Sequence, residues 1–247
     1  MIAAVKKAKS PGRAGPRPAR AAALEPAARP PGRAAKRLAA VRRAERQRPA
    51  TPAGERAGRN SVRVIGGAWR GRRIEFPDTP GLRPTPDRIR ETLFNWLQHA
   101  VANARCLDLF AGSGALGLEA LSRGAKEAVF VEQAVPAARA LQQHLLRFGA
   151  AGRGLIAAMG ARRYLTSGGE PFDLVFLDPP FGQNLLPDYG DLLAAGHWVK
   201  PGGFIYLECE KAAGVPTLPE TWELLKSKSA GEVGYHLARA NAATNGQ

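Results

Sequence analysis

The sequence predicts an α/β domain built on a doubly wound, mostly parallel sheet that ends in an antiparallel hairpin. Three observations predict it. From Cys106 onward, apolar runs at 106–110, 128–132, 155–159, 173–178 and 204–210 alternate with helical patterns near 115–123, 134–148 and 185–195. A glycine-rich turn, Gly112-Ser113-Gly114-Ala115-Leu116-Gly117, follows directly on the first of those runs. After Pro219, two strand-like runs, 222–228 and 233–239, flank Ala230-Gly231-Glu232, and such a hairpin must add at least one antiparallel strand.

The 247 residues suffice for one large domain or two small ones, and a hydrophobic content of 45% allows a full core. The net charge of +15 is concentrated at one end: residues 1–59 carry 16 Lys/Arg against 3 Asp/Glu, which leaves only +2 for residues 60–247. The first 59 residues are rich in Ala, Pro, Arg and Gly and hold no aromatic residue. Leu24, Leu38 and Val41 are too sparse for a core, so a disordered basic tail is expected. Residues 34–47 fit a short basic helix formed on a polyanion. Three roles stay open for the tail: a passive extension (or a start codon set too early), non-specific phosphate attraction, and a transit peptide. The passive reading takes slight precedence. Beyond the tail, residues 60–100 are expected to form a small β-element and helix, and residues 101–247 the main domain.

Cys106 and Cys209 lie inside apolar runs without disulfide or zinc spacing, which predicts buried, reduced thiols and no metal site. No apolar run reaches the ~18 residues of a membrane span, and the start lacks a secretory pattern. A cytoplasmic, monomeric protein without a membrane partner is expected.

Order is expected to begin near Ser61. The runs 62–65 and 73–76, separated by Gly66-Gly67-Ala68-Trp69-Arg70-Gly71, read as a hairpin with a flexible centre. Residues 60–90 hold seven arginines against three acids. Arg63, Trp69, Arg70, Arg72 and Arg73 are candidate RNA contacts, because arginine beside an aromatic ring suits phosphates and unstacked bases. The alternative is a solvated basic edge with Trp69 packed beneath it. Thr85-Pro86-Asp87 then reads as a helix start, with Thr85 as the capping hydroxyl and Pro86 in the first helical position. Ile89, Leu93, Trp96 and Leu97 fall on one buried face. Arg90, Glu91 and Asn95 are left to face either the cofactor mouth or solvent.

Glu132 comes 20 residues after Gly112, so the glycine turn also matches a dinucleotide site. Two features point away from NAD. Asp108 places a carboxylate near the turn, where a pyrophosphate is repelled but the cationic methionine end of S-adenosylmethionine (SAM) is not. No His, Lys or Tyr set for hydride chemistry follows. Asp108, Gly112, Gly114 and Glu132 are therefore candidate SAM-binding residues.

Asp178-Pro179-Pro180-Phe181 follows the apolar run 172–177. An aryl amino group is a poor nucleophile because its lone pair is delocalised into the ring. The Asp178 carboxylate and the Pro179 carbonyl can grip its two N–H bonds and turn the lone pair out of plane. Consecutive prolines fix the turn and add no competing N–H, and Phe181 can stack on the base. This equipment suits methyl transfer from SAM to an exocyclic base nitrogen, with catalysis by orientation and electrostatics.

Residues 62–239 resemble the bacterial 16S rRNA (guanine-N2)-methyltransferase family that acts on guanine 966 (rRNA numbering), a family of class I SAM-dependent methyltransferases. The carrying segments are Arg63-Val64-Ile65-Gly66-Gly67, the block from Arg83 to Leu97, Asp108-Leu109-Phe110-Ala111-Gly112-Ser113-Gly114, Asp178-Pro179-Pro180-Phe181 and Tyr206-Leu207-Glu208. The Arg83–Leu97 block is the family-specific part. The resemblance implies a Rossmann-like seven-stranded sheet, SAM as donor, and 16S rRNA within assembled small ribosomal subunits as substrate. By position it implies that Asp108, Gly112, Gly114 and Glu132 bind SAM. Asp178, Pro179 and Phe181 would handle the guanine, and Arg88, Glu91 and Thr92 would line the site beside the cofactor. One departure stands out: where such enzymes often offer a polar side chain to the adenine, Met159-Gly160-Ala161 offers none, leaving backbone or Arg162.

Other readings use the same motifs. A DNA or other RNA methyltransferase acting on adenine N6 or cytosine N4 would share the Asp178 turn but needs a recognition domain for which little chain is left. A non-catalytic assembly factor would not need an intact Asp178. An NAD oxidoreductase is separated by which cofactor raises thermal stability.

Overall fold

The structure, a computed structural model, describes residues 60–78 and 84–241. The basic tail at 1–59 and Arg83 lie outside the described residues. Strands β1 (Asn60–Arg63) and β2 (Arg73–Phe76) form an antiparallel pair. Helix α1 (Asp87–Trp96) leads into the main sheet. That sheet contains β3 (Arg105–Asp108), β4 (Glu127–Val131), β5 (Gly154–Ala157), β6 (Phe172–Leu177), β7 (Val199–Glu210), β8 (Trp222–Ala230) and β9 (Val233–Ala240). Their order is β5-β4-β3-β6-β7-β9-β8. The first five pair in parallel, and β9 runs antiparallel between β7 and β8. This is the Rossmann-like doubly wound sheet with a terminal hairpin.

Helices α2 (Ala115–Ser122), α3 (Val135–Arg147), α4 (Ala161–Leu165) and α5 (Leu186–Ala195) make the crossovers. The α4 helix has no counterpart among the helices expected from the sequence, because five residues are too few to show a helical period. Strand alternation sorts the core into two layers. Cys106, Phe130, Leu174, Phe176 and Tyr206 face α1, α2, α3 and the β1–β2 hairpin. Leu107, Val129, Val175, Leu177 and Leu207 face α4 and α5. Each fully buried Phe or Leu in these layers contributes roughly 2 kcal/mol of transfer free energy. Both cysteines are buried and reduced. No helix among the described residues is long and apolar enough to cross a membrane.

The centre of the β1–β2 hairpin is pinned, contrary to the flexible centre expected. The backbone N–H groups of Ile65 and Gly66 donate to the two carboxylate oxygens of Glu119, each at 2.8 Å. Trp69 N–H donates to Ser122 Oγ at 2.9 Å, and the Ser122 hydroxyl donates to Gly66 O at 2.6 Å. Gly67 takes φ 76°, and a Cβ there would run into the Ser122 carbonyl. Only glycine lets this turn lie so close to α2.

Two expectations about α1 are corrected. The helix begins at Asp87 with Pro86 as its N-cap, and no side chain caps it. The Thr85 hydroxyl is used elsewhere. Arg90, expected at the cofactor mouth or in solvent, is fully buried. Its Nη2 lies 2.5 Å from Asp87 Oδ1 and donates to Arg63 O at 2.9 Å, its Nε donates to Thr85 O at 3.1 Å, and its Nη1 lies 3.5 Å from Glu119 Oε2. Burial lowers its pKa, opposed by Asp87 and Glu119. Arg90 thus ties the hairpin, the approach to α1 and α2 together. Glu91 and Asn95 differ from Arg90: both are exposed.

Candidate active site

The strand order reverses between β3 and β6, which are parallel neighbours with Asp108 opposite Phe176. A doubly wound sheet opens its ligand crevice at such a reversal, outside the carboxyl ends of the strands. The glycine turn leaves β3 at that point and the Asp178 turn leaves β6. The topology therefore sets the two motifs side by side.

The glycine turn fits a nucleotide-like cofactor. Gly112 and Gly114 take φ 51° and 76°, backbone that L side chains rarely adopt. A Cβ on Gly114 would strike Leu141 of α3. Glu132 reaches across from the end of β4. Its Oε2 accepts from Gly112 N–H at 2.8 Å and its Oε1 from Ala134 N–H at 2.6 Å. These bonds lock the carboxylate at the turn while each oxygen keeps a lone pair for a ribose hydroxyl. Asp108 is 2% exposed, and its Oδ2 accepts from Gly117 N–H at 3.0 Å. Burial pushes its pKa up to about 7, with the Gly117 bond lowering it and Glu132 raising it further. Burial therefore disfavours its charged form, which a nearby cation would stabilise.

Beyond the Asp178 turn lies an open cleft of about 360 Å³, lined by Pro179, Pro180, Phe181, Glu208 and Val215 among others. Phe181 is 41% exposed, so a face of its ring is available to a planar ligand. Asp178 Oδ2 accepts from the Thr85 hydroxyl at 3.3 Å. Burial raises the Asp178 pKa well above the carboxylate range, followed by repulsion from Glu208 and Asp108, with the Thr85 bond opposing. Glu208, 4% exposed, accepts from the Tyr206 hydroxyl at 2.7 Å. Burial raises its pKa too, while hydrogen bonds from Tyr206 and Thr85 lower it. Sequence reasoning assigns Thr85, Tyr206 and Glu208 no chemical role. The only signal is the Tyr206-Leu207-Glu208 segment, which carries resemblance without carrying a function.

The other candidates divide. Arg88 and Glu91 are exposed on α1, and the Thr92 hydroxyl donates to Arg88 O at 2.9 Å. Among the described residues no hydrogen bond joins these three to the glycine turn. Arg162 lies 3.6 Å from Asp188 and over the Tyr189 ring at 6.0 Å. Arg70 and Arg73 are exposed, and Arg63 pairs with Asp87 at 2.8 Å. Arg72 lies over the Phe148 ring at 4.3 Å and donates to Arg147 O at 2.8 Å. Trp69 is a correction. It is 6% exposed, with its ring 5.0 Å from that of Phe148 and Arg153 over it at 5.5 Å. It belongs to the core under the hairpin and offers no face to a base.

A protein-family profile described as conserved hypothetical protein 95 matches residues 62–239. The chain is 46% identical over 189 residues to ribosomal RNA small subunit methyltransferase D of Escherichia coli K12, covering 75% of this chain and 93% of that one. The counterpart in Haemophilus influenzae is 44% identical, with 72% and 94% covered. Among solved structures, the putative methyltransferase yhhF from Escherichia coli superposes with a TM-score of 0.69 at 42% identity, covering 74% of this chain and 99% of its own.

Proposed function

The chain belongs to the conserved hypothetical protein 95 family, alongside the ribosomal RNA small subunit methyltransferase D proteins, and from this premise we propose that it methylates the exocyclic N2 of a guanine in small-subunit rRNA. The donor is S-adenosylmethionine, which supplies a methyl group made electrophilic by its sulfonium. One observation carries the reading. The glycine turn with Asp108 and Glu132, and the Asp178 turn with its exposed Phe181, open beside each other at the strand-order reversal.

Each residue then has a task. Gly112, Gly114 and Glu132 hold the nucleoside end of the donor. Asp108 faces its cationic end, where an ionised carboxylate is stabilised by the ligand charge. Phe181 stacks on the base. Asp178 and the Pro179 carbonyl accept the two amino N–H bonds and aim the lone pair at the methyl. As the C–N bond forms and the C–S bond breaks, the nitrogen becomes acidic and its surplus proton passes to Asp178. The target guanine must be unpaired or flipped, because a stacked amino group cannot enter the cleft. The resemblance directs this to guanine 966 of the assembled subunit. The exposed Arg70 and Arg73 suit its phosphates.

The test uses small subunits from cells lacking the modification, incubated with the protein and methyl-labelled SAM, with digested nucleosides read by mass spectrometry. N2-methylguanosine at one site is expected. Methyladenosine or methylcytidine instead, or no transfer to subunits by protein that binds SAM, overturns the reading.

A further inference from the structure

Asp178 has a second carboxylate beside it that the transfer step does not use. Glu208 sits near the end of β7, 4% exposed, yet lines the same cleft as Pro179 and Phe181. Tyr206 orients it at 2.7 Å. Leu177 pairs with Leu207 across β6 and β7, so Asp178 and Glu208 are the next residues on neighbouring strands, and the Thr85 hydroxyl donates to Asp178 at 3.3 Å. The groups facing this pair are Thr85 ahead of α1, Asp108 on β3 and Tyr206 on β7. Among the described residues, no Lys or Arg acts on either carboxyl group. Two buried carboxylates without a cation are costly unless donors reach them. Tyr206 and Thr85 supply one proton each, to Glu208 and Asp178, which leaves acceptor lone pairs on both carboxylates, and the open cleft is where further donors would arrive.

Resting on the guanine-N2 reading above, we propose that Glu208 is a specificity-determining residue that accepts the N1–H of the target guanine while Asp178 accepts from its N2 amino group. Guanine alone among the four bases carries two adjacent donors, N1–H and N2–H, on its Watson–Crick edge. Adenine and cytosine place a bare ring-nitrogen lone pair beside their amino groups, and that lone pair would meet a carboxylate oxygen in repulsion. Uracil offers one N–H flanked by two carbonyls. Two neighbouring acceptors held by Thr85 and Tyr206 therefore select guanine without any added recognition domain. A site built to bond a substrate N–H rejects an analogue lacking it by large factors, because the buried partner is left unpaired.

The test replaces the target guanine in reconstituted small subunits by 2-aminopurine, which keeps the amino group but has a lone pair at N1. The wild-type protein is expected to methylate guanine at least ~100-fold faster than 2-aminopurine. Glu208→Gln keeps an acceptor for Tyr206 and presents an N–H that can meet the N1 lone pair. It is expected to lose ~10-fold or more on guanine and to narrow the guanine to 2-aminopurine ratio at least ~10-fold. SAM binding and melting temperature check that this variant is folded. Tyr206→Phe, which leaves the carboxylate but removes its orienting donor, is expected to slow transfer while keeping the wild-type ratio. A wild-type ratio in folded Glu208→Gln overturns the inference alone. A wild-type protein that transfers nothing to guanine overturns the function and the inference together.

Discussion

The Thr85 hydroxyl donates to Oδ2 of Asp178 at 3.3 Å, joining residues 93 apart in the chain. The segment ahead of α1 is thus tied to the turn that follows β6. Arg90 fixes that segment by donating to the Thr85 carbonyl from inside the core.

Removing the hydroxyl should loosen the acceptor without removing it. Thr85→Val is expected to slow methyl transfer ~5-fold, in line with one lost hydrogen bond of about 1 kcal/mol, and to leave SAM affinity unchanged. Asp178→Ala is expected to abolish transfer while SAM still binds. Single-turnover assays with a separate SAM-binding titration check both, and normal turnover by Asp178→Ala would sink the mechanism.

Asp108 gives a pH signature. Its folded pKa of about 7 lies above the ordinary 3.8. Its contribution to the stability of the ligand-free protein is therefore full below the unfolded value and lost as pH rises through about 7, a cost of roughly 4 kcal/mol above that point. Asp108→Asn keeps the acceptor for Gly117 and cannot ionise. It should melt higher than wild type at pH 8, with the gap closing toward pH 4, and should bind SAM more weakly at pH 8. A gap independent of pH would show that the carboxylate is not strained by burial.

Arg90 is a stability residue. Arg90→Ala leaves Glu119 and Asp87 without their buried partner and is expected to cost ~3–5 kcal/mol by urea denaturation. Arg90→Lys should recover little, since one ammonium cannot reach the four acceptors that the guanidinium spans. Trp69→Ala should likewise cost ~3–5 kcal/mol. A loss of subunit binding without loss of stability at Trp69 would contradict its place in the core.

The exposed arginines should act through charge. Arg70→Glu with Arg73→Glu is expected to weaken binding to small subunits and to flatten its dependence on salt, the logarithmic slope falling by about one for each phosphate no longer neutralised. SAM affinity should not move. Subunit affinity measured at salt concentrations from about 50 to about 200 mM decides it.

The sheet is legible in the sequence because its signals are local. Apolar runs, the glycine turn and the Asp178 turn each lie within a few consecutive residues, and strand alternation repeats every second position. What the sequence hides is whatever depends on partners distant in the chain. Thr85 looks like a helix cap because Thr-Pro-Asp is the local pattern of one, yet Asp178, far along the chain, draws its hydroxyl away. Arg90 looks like a surface residue because arginine is charged, yet Glu119 and Asp87 make burial tolerable. Trp69 looks like a base platform because arginines surround it, yet Phe148 takes its face.

By itself the sequence determined which chemistry is present: a glycine turn with an acid 20 residues on, and a rigid turn pairing a carboxylate with an aromatic ring. Covalent order and side-chain type suffice for that. Only the tertiary structure decided which groups act together. The strand order sets β3 beside β6, so two turns 66 residues apart, at Gly112 and Asp178, leave neighbouring strand ends side by side. The convergence of Thr85, Tyr206 and Glu208 around Asp178 follows from packing three segments against one another, and hydrogen bonds between distant residues leave no periodic trace in the chain.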